Sequence, residues 1–216
     1  MTVGYSTLCR NFHEWGYVQL RPRQHNVTSD PKKQGQHIKR VNLLLPSQPD
    51  LWFQDETAFW ANPAPYFVWA LKGSKPTAPN VGGRLNVNVM GAVRPEDGRF
   101  FAFIASHGNQ IVFQMFLNQM QEIVNRNRRV VMILDNARFH HVKDLDWGCI
   151  EPWFLPPGSP ELNPIETLWL VIKKNFFNQW VAKNETKLAY RVTNAIAYYE
   201  ERHDIIRSVC AISKYL

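Results

Sequence analysis

Three acidic side chains, Asp55, Asp135 and Glu166, are placed where a folded chain can bring their carboxylates together. Asp135 directly follows the apolar run 130–134, which predicts a strand buried on both faces, and open α/β sheets bind their ligands at that end of a strand. An aspartate there is also a common turn former. Converging carboxylates supply the hard oxygen ligands that Mg²⁺ and Mn²⁺ prefer, and two such ions suit phosphoryl transfer. The three acids are therefore candidate metal ligands and catalytic residues.

Of the three acids, Asp55 has the position at which a charged side chain is most costly. It lies inside the apolar run 51–60, and strand alternation puts its side chain on the same face as Leu51 and Phe53. A carboxylate on the apolar face of a strand is costly unless it is paired or bound to a metal. Glu56 competes for the role, but alternation points it to the opposite face.

Glu166 follows a rigid loop, residues 156–162, in which prolines and Gly158 fix a turn. Asn163 is a good helix N-cap and Pro164 suits the first helical position, so Glu166 falls in the first turn of a helix. The simplest interpretation is a capping box, in which Glu166 only caps the helix together with Asn163. The residues alone leave both interpretations open.

Four segments carry a family resemblance, and in chain order they are WFQDE (52–56), WALKGSKP (69–76), LDNARFH (134–140) and LPPGSPELNPIETLW (155–169). They resemble the DDE transposases of the mariner-type superfamily, specifically the bacterial branch called the insertion sequence 630 family. The resemblance covers the chain from about residue 52 to residue 174. It implies an α/β fold with a ribonuclease H-like mixed sheet flanked by helices. It also implies that the catalytic and metal-binding acids are Asp55, Asp135 and Glu166.

The same resemblance implies an activity and its partners. The expected protein is a metal-dependent DNA transposase that uses Mg²⁺ or Mn²⁺, with two ions in the site. It cleaves phosphodiesters at transposon ends and joins the freed 3′-hydroxyl to target DNA, typically at a TA dinucleotide. DNA is therefore the expected partner, and a homodimer assembled on DNA is the expected oligomer.

Two residues beside Asp135 are predicted to support the site. In the family motif Asn136 and His140 lie next to the active site, where they hold the metal ligands or contact the scissile phosphate. A hydrogen-bonded cap of the following turn explains them equally well. His140 and His141 also suggest zinc, but no further His or Cys is placed to complete a tetrahedral site.

Thirty residues separate Asp135 from Glu166, a few fewer than the family usually has. The shortfall lies in 143–151, where relatives have a longer helix. We therefore expect a trimmed peripheral helix in this segment and an intact site.

The resemblance divides the chain into three parts. Residues 1–25 are the remnant of a winged-helix DNA-binding region, 26–49 are a linker, and 50–216 are the ribonuclease H-like DDE catalytic domain. The first fifty residues carry seven Lys or Arg against three acids, the bias of a segment that contacts a nucleic-acid backbone, although a solvated linker looks much the same. The predicted DNA contacts are Arg10, Arg21, Arg23, Lys72, Lys173 and Lys174. For the lysines, a solvated turn or helix face is the plainer alternative.

Hydrophobic patterning predicts the remaining elements. A helix at 6–15 and a strand at 17–20 open the chain. Two strands at 85–93 and 99–105 are joined by an Asp-Gly turn, in which Asp97 is simply a turn residue. A helix at 109–126 and a terminal amphipathic helix at 187–209 complete the set.

Composition agrees with this interpretation. The formal net charge of +7 and a pI near 9.4 favour a polyanionic partner. Three widely separated cysteines show no metal or redox spacing. The sequence has neither an apolar run of membrane-spanning length nor a signal-peptide core, so we expect a cytoplasmic protein that is nucleoid-associated when bound to DNA.

Two other functions compete with the transposase. One is a truncated, non-catalytic DNA-binding derivative of a transposase, which the absence of the preceding recognition helices favours and the intact acidic triad opposes. The other is a host ribonuclease or junction nuclease of the same fold, which the four-segment match makes the least favoured.

Overall fold

The structure is a computed structural model. It describes residues 5–17, 29–62, 84–105, 107–178, 180–212 and 215, together with residues 73, 75, 77, 80 and 82. Several sequence predictions lie outside the described residues, namely the DNA contacts Arg21, Arg23 and Lys72, the strand at 17–20 except for Tyr17, and most of the segment 69–76.

Within the described residues five strands form one mixed sheet, and they are β1 (Asp50–Trp60), β2 (Asn86–Arg94), β3 (Arg99–Ala105), β4 (Val130–Leu134) and β5 (Ile150–Phe154). Their order across the sheet is β3-β2-β1-β4-β5. β1, β2 and β3 pair antiparallel, whereas β4 runs parallel to β1 and β5 runs parallel to β4. The predicted hairpin and the predicted buried strand before Asp135 are both confirmed.

Six α-helices accompany the strands in the described residues, and they are α1 (Tyr5–Glu14), α2 (Pro31–Leu44), α3 (Gln110–Ile123), α4 (Pro164–Phe177), α5 (Glu185–Glu200) and α6 (His203–Val209). Short 3₁₀ turns occur at Leu45–Ser47, Arg138–His141 and Pro160–Leu162. None of these described helices is long and apolar enough to cross a membrane. The predicted helices at 6–15 and 109–126 are confirmed, with boundaries shifted by one to three residues.

An apolar layer covers each face of the sheet. On one face Phe53 packs under α2, α4, α5 and α6. On the other face Trp52 packs under α3 and the segment that follows β4. Because neighbouring residues of a strand point to opposite faces, Asp55 shares the face of Phe53, and Glu56 shares that of Trp52. The mixed sheet flanked by helices, predicted from the sequence, is confirmed.

The turn between β2 and β3 does more than close a hairpin. Asp97 pairs with Arg94, whose guanidinium also pairs with the fully buried Asp50 at the start of β1. Trp52 Nε1 donates to Asp50 at 3.0 Å, and the N–H of Asn125 donates to it at 2.7 Å. Asp97 is therefore part of a charge network as well as a turn.

Within the predicted linker 26–49, Pro31–Leu44 forms helix α2. Asp30 caps α2 by accepting hydrogen bonds from the N–H groups of Lys32 and Lys33. Val41 and Leu44 are buried in the main core and seat the helix on the sheet. The division of the chain at residues 25 and 49 otherwise stays a prediction.

Two further segments differ from expectation. The helix predicted at 187–209 is two helices, because the chain leaves the helical conformation at Arg202. The trimmed helix predicted within 143–151 is not formed: the described residues 142–149 contain no helix, and Ile150–Phe154 is a strand. Pro152 lies in the middle of that strand, which is tolerated because β5 is at the edge of the sheet.

Candidate active site

Asp55, Asp135 and Glu166 line a single cleft with a volume of about 370 Å³. Much of the remaining wall is the chain from Leu155 to Pro160. The structure therefore brings together the three acids that lie 80 and 31 residues apart along the chain.

The sheet places the two aspartates. The last paired residues of β1 and β4 are Phe53 and Ile133, so Asp55 and Asp135 both lie just beyond the point where these parallel strands separate. Neighbouring strands are about 4.8 Å apart, which puts two side chains at this point within reach of one ion. The strand-end position predicted for Asp135 is confirmed.

Helix α4 brings in the third acid. Trp169, one turn after Glu166, packs against Gly91 of β2, and Gly91 is paired with Asp55 across the sheet. A Cβ at Gly91 would lie 2.9 Å from the indole of Trp169, so only glycine allows this approach. The close packing of α4 on the sheet at Gly91 therefore sets the distance of Glu166 from Asp55.

The capping-box interpretation of Glu166 is wrong. Asn163 occupies the N-cap position, but its side chain makes no capping hydrogen bond. Its Nδ2 instead donates to the carbonyl oxygen of Gln54 at 2.8 Å. This leaves Asn163 Oδ1 buried and without a hydrogen-bond partner beside the cleft that Glu166 lines. Glu166 is thus a cleft residue.

Burial, together with repulsion between carboxylates, raises the pKa of two of the three acids, Asp55 and Glu166. Burial raises the pKa of Asp55 to about 8, and the carboxylates of Glu166, Glu56 and Asp135 add to the rise. Burial also raises the pKa of Glu166, with Asp135 adding to the effect and Lys173 opposing it. Like charges that are brought together out of water favour a bound cation.

His140 holds Asp135 from the opposite side. Its imidazole is fully buried, with Nδ1 3.0 Å from Asp135 Oδ1 and Nε2 3.3 Å from Glu56 Oε1. The ring also packs on Phe113, with centroids 4.4 Å apart. Burial disfavours its charged form, but the hydrogen bonds to the two carboxylates outweigh this and raise the pKa of His140 to about 9. The same contact lowers the pKa of Asp135.

Glu56 was missed as a site residue by sequence reasoning. Strand alternation does point Glu56 away from Asp55, but Glu56 contacts His140, which in turn contacts Asp135. Carboxylate oxygens of Glu56 and Asp135 and a ring nitrogen of His140 all lie within 4.8 Å of one another. Because both nitrogens of the imidazole are already engaged by carboxylates, this group is a hydrogen-bonded support.

The remaining predicted residues are distributed unevenly. Asn136 lines the cleft, and its Nδ2 donates to the carbonyl oxygen of Leu155 at 2.6 Å, which ties the end of β4 to the loop. Lys173 donates to Thr57 Oγ1 at 2.6 Å, and its charge acts on Glu166. Arg10 on α1 and Lys174 on α4 are exposed, and the structure does not bring them to the cleft.

A family model described as a DDE superfamily endonuclease matches residues 50–188. The chain belongs to this family. The matched region begins at β1 and runs through α4, so it contains all three acids of the cleft.

Comparisons with single proteins give one sequence relative and several structures of the same fold. An uncharacterized protein of Sinorhizobium fredii, y4pE/y4sA, is 31% identical over 97 residues, which is 44% of this chain and 72% of the relative. The Mos1 transposase paired-end complex with the left transposon end is 13% identical, with a TM-score of 0.69 over 97% of this chain and 70% of that one. The Mos1 mariner paired-end complex with Mn has a TM-score of 0.67 at 13% identity, over 99% and 71%. The predicted ribonuclease H-like fold is confirmed.

The cleft of this DDE endonuclease fits a divalent cation. Its charged donors are carboxylate oxygens, which Mg²⁺ and Mn²⁺ prefer. The partnerless Oδ1 of Asn163 is a further oxygen acceptor for a metal ligand or for a water bound to the metal. Asp55 has no cation paired with it among the described residues, so its charge is left for an ion from solution.

Proposed function

We propose that the chain is a metal-dependent DNA transposase of the mariner type, of the branch called the insertion sequence 630 family. It would cleave phosphodiesters at transposon ends and join the freed 3′-hydroxyl to target DNA, with TA as the target. The observation that carries the proposal is the convergence of Asp55, Asp135 and Glu166 on one cleft.

Asp55, Asp135 and Glu166 would hold Mg²⁺ or Mn²⁺ in this proposal. Two ions bound there would lower the pKa of the attacking water or 3′-hydroxyl and stabilise the leaving oxygen. The like-charge repulsion that raises the pKa of Asp55 would be relieved by the added positive charge.

Residues around the carboxylates would orient them. His140 fixes the rotation of Asp135 by a hydrogen bond to Oδ1, and Glu56 on the other nitrogen fixes the imidazole. Asn136 holds the end of β4 against the loop that forms the wall of the cleft. These contacts keep the ligand oxygens in place without occupying the cleft.

Lys173 would bind the DNA strand that is cut. Its ammonium lies on the flank of α4 that carries Glu166, close to Thr57 of β1. Burial lowers the pKa of Lys173, while Glu166 and Asp55 oppose the fall. Held beside the carboxylates, this cation is placed to contact a phosphate and to fix the register of the backbone.

The wider assignments follow the same proposal. Arg10, Arg21, Arg23, Lys72 and Lys174 are proposed to contact DNA away from the cleft, and a homodimer is proposed to assemble on two transposon ends. Two of the Mos1 structures similar to this chain are paired-end complexes. The protein would act in the cytoplasm, associated with the nucleoid when bound to DNA.

Cleavage of a DNA duplex that carries the element's terminal sequence tests the proposal. We expect cleavage in Mn²⁺ or Mg²⁺ and none in EDTA, with Asp135→Asn lowering the rate by about 10³-fold or more. Asp204→Asn is the matched control, because it makes the same change at an exposed aspartate of α6 that does not line the cleft.

DNA binding without cleavage by the unmodified chain would contradict the proposal and would favour the non-catalytic derivative. Cleavage of RNA–DNA hybrids or branched DNA in preference to transposon ends would favour a host nuclease instead.

A further inference from the structure

The loop 156–162 forms a wall of the cleft but has little regular structure of its own. Its internal backbone hydrogen bonds include a short turn, in which the N–H of Leu162 donates to the carbonyl of Ser159 at 3.1 Å. The prolines of the loop have no N–H to donate. At its start the N–H of Leu155 donates to the carbonyl of Leu134 at 2.9 Å. The position of the loop therefore depends on side chains from elsewhere in the fold.

Gln34 of α2 supplies one set of contacts. Its Nε2 lies 2.9 Å from Ser159 Oγ and 2.5 Å from Glu161 Oε1, and 2.8 Å from Ser29 Oγ on its own side. Ser159 is buried and lines the cleft. The amide of Gln34 thus contacts a loop residue, Ser159, that lines the cleft, although Gln34 itself does not line it.

Tyr215 supplies the other contact. Its hydroxyl donates to the carbonyl oxygen of Leu162 at 2.8 Å. Leu162 directly precedes Asn163, which occupies the N-cap position of α4. The ring is buried, with its centroid 5.9 Å from that of Phe53 and 6.0 Å from that of His37. Burial raises the pKa of Tyr215 well above its usual value, so the hydroxyl remains a donor at any pH at which the protein works.

The two contacts reinforce each other. His37 of α2 packs edge-on against Tyr215, so α2 and Tyr215 form one layer behind the loop. Both Gln34 and Tyr215 lie outside residues 50–188, the region that the family shares. They flank that region in the sequence, and they meet in space on the loop that precedes Glu166.

We propose that Gln34 and Tyr215 are positioning residues, forming a loop clamp that sets the place of Glu166 relative to Asp55 and Asp135. The inference rests on the proposed function, because the place of Glu166 matters only if the cleft binds a divalent cation. Glu166 lies four residues after the clamped carbonyl of Leu162, and a loop that shifts carries the first turn of α4 with it.

Binding of Mn²⁺ to the full chain, measured by calorimetry or by the electron paramagnetic resonance of the free ion, tests the clamp. Gln34→Leu and Tyr215→Phe each remove hydrogen-bond donors and keep most of the side-chain volume. We expect each to raise the dissociation constant of Mn²⁺ by about fivefold, the effect of about one hydrogen bond. If the two residues only stabilise the fold, their substitution would lower the melting temperature and leave the dissociation constant of Mn²⁺ from the folded protein unchanged.

Two matched controls separate the clamp from general effects. Gln36→Leu makes the same change at an exposed position of α2, and Tyr190→Phe removes the hydroxyl of a tyrosine that is 69% exposed. Both should bind Mn²⁺ as the unmodified chain does.

The outcomes also separate this inference from the proposed function. If the unmodified chain binds Mn²⁺ and the two clamp variants bind it equally well, the clamp is wrong and the metal site stands. If Asp135→Asn binds Mn²⁺ as tightly as the unmodified chain, the cleft is not the metal site, and the proposed function and the clamp both fail.

Discussion

Strand β1 carries one aspartate at its start, Asp50, and another at its midpoint, Asp55, and the two have opposite surroundings. Asp50 is fully buried and is surrounded by donors: the guanidinium of Arg94, the indole of Trp52 and a backbone N–H. Asp55, five residues further along the same strand, is surrounded by other carboxylates, and Glu166 is the strongest of them. The protein neutralises the first acid itself and leaves the second to be neutralised from outside. This contrast distinguishes a structural acid from a ligand acid.

Removing the partner of Asp50 should have the largest effect on stability. Arg94→Met leaves a buried carboxylate without its cation, which typically costs about 3–5 kcal/mol in the free energy of unfolding. Urea denaturation of the metal-free protein measures it.

The matched control is Arg99→Met, since the Arg99 side chain is 47% exposed in its pair with Asp97. That change should cost less than about 1 kcal/mol. Equal losses in the two variants would show that Asp50 is not held as the structure indicates.

The pH dependence of stability should have opposite signs for Asp55 in the cleft and for Asp97, which shares Arg94 with Asp50. The pKa of Asp55 is raised to about 8 in the folded protein, so its contribution is present below its ordinary pKa near 3.8 and is lost as the pH rises towards 8. Burial acts to raise the pKa of Asp97, but the hydrogen bonds from Arg94 and from the N–H of Arg99, together with the charges of both arginines, outweigh burial and lower the pKa. Its contribution is therefore present above the ordinary pKa and is lost as the pH falls through the lowered value.

Asp55→Asn should remove the first of these slopes. The metal-free variant should be more stable than the unmodified chain by about 4 kcal/mol near pH 7, and the difference should fall below about 1 kcal/mol near pH 4. Denaturation curves at pH 4, 5.5 and 7 measure it. A variant less stable than the unmodified chain at pH 7 would contradict the repulsion described for the cleft.

Mn²⁺ should stabilise the folded protein through Asp55, and this stabilisation should not depend on the network of Asp50 and Arg94. At a free concentration ten times its dissociation constant it should raise the free energy of unfolding by about 1.4 kcal/mol. Asp55→Asn should lose most of this gain. Arg94→Met should keep it despite its lower stability, because Arg94 lies outside the cleft. If Arg94→Met loses the stabilisation by Mn²⁺, the Asp50 network and the cleft are coupled.

Much of the fold and the positions of Asp55 and Asp135 were predictable because they follow from local patterns, whereas local patterns left Glu166 open between a helix cap and a site residue. Strand alternation placed Asp55 and Glu56 on opposite faces, and the apolar run before Asp135 predicted a strand that ends at a ligand site. The Asp-Gly turn predicted the β2–β3 hairpin. Each of these signals lies within about ten residues of sequence.

The missed features depend on contacts between distant segments. Asn163 has the sequence of a capping residue, but its amide is drawn to the carbonyl of Gln54, 109 residues away. Glu56 is held by His140, 84 residues away in the sequence. α2 has few apolar residues, and its burial arises from the sheet it covers. No local pattern in the sequence encodes these pairings.

The two asparagine amides at the cleft have a consequence for ion selectivity. Asn163 and Asn136 donate to the backbone carbonyls of Gln54 and Leu155, which engages oxygens that would otherwise be free to coordinate ions. Among the oxygens left at the cleft, those of Asp55, Asp135 and Glu166 carry whole or shared negative charges. Such donors discriminate by the charge of the ion more than by its size, because Coulomb attraction doubles from a monovalent to a divalent cation. Na⁺ and K⁺ should therefore compete poorly for this cleft, even at concentrations far above those of Mg²⁺.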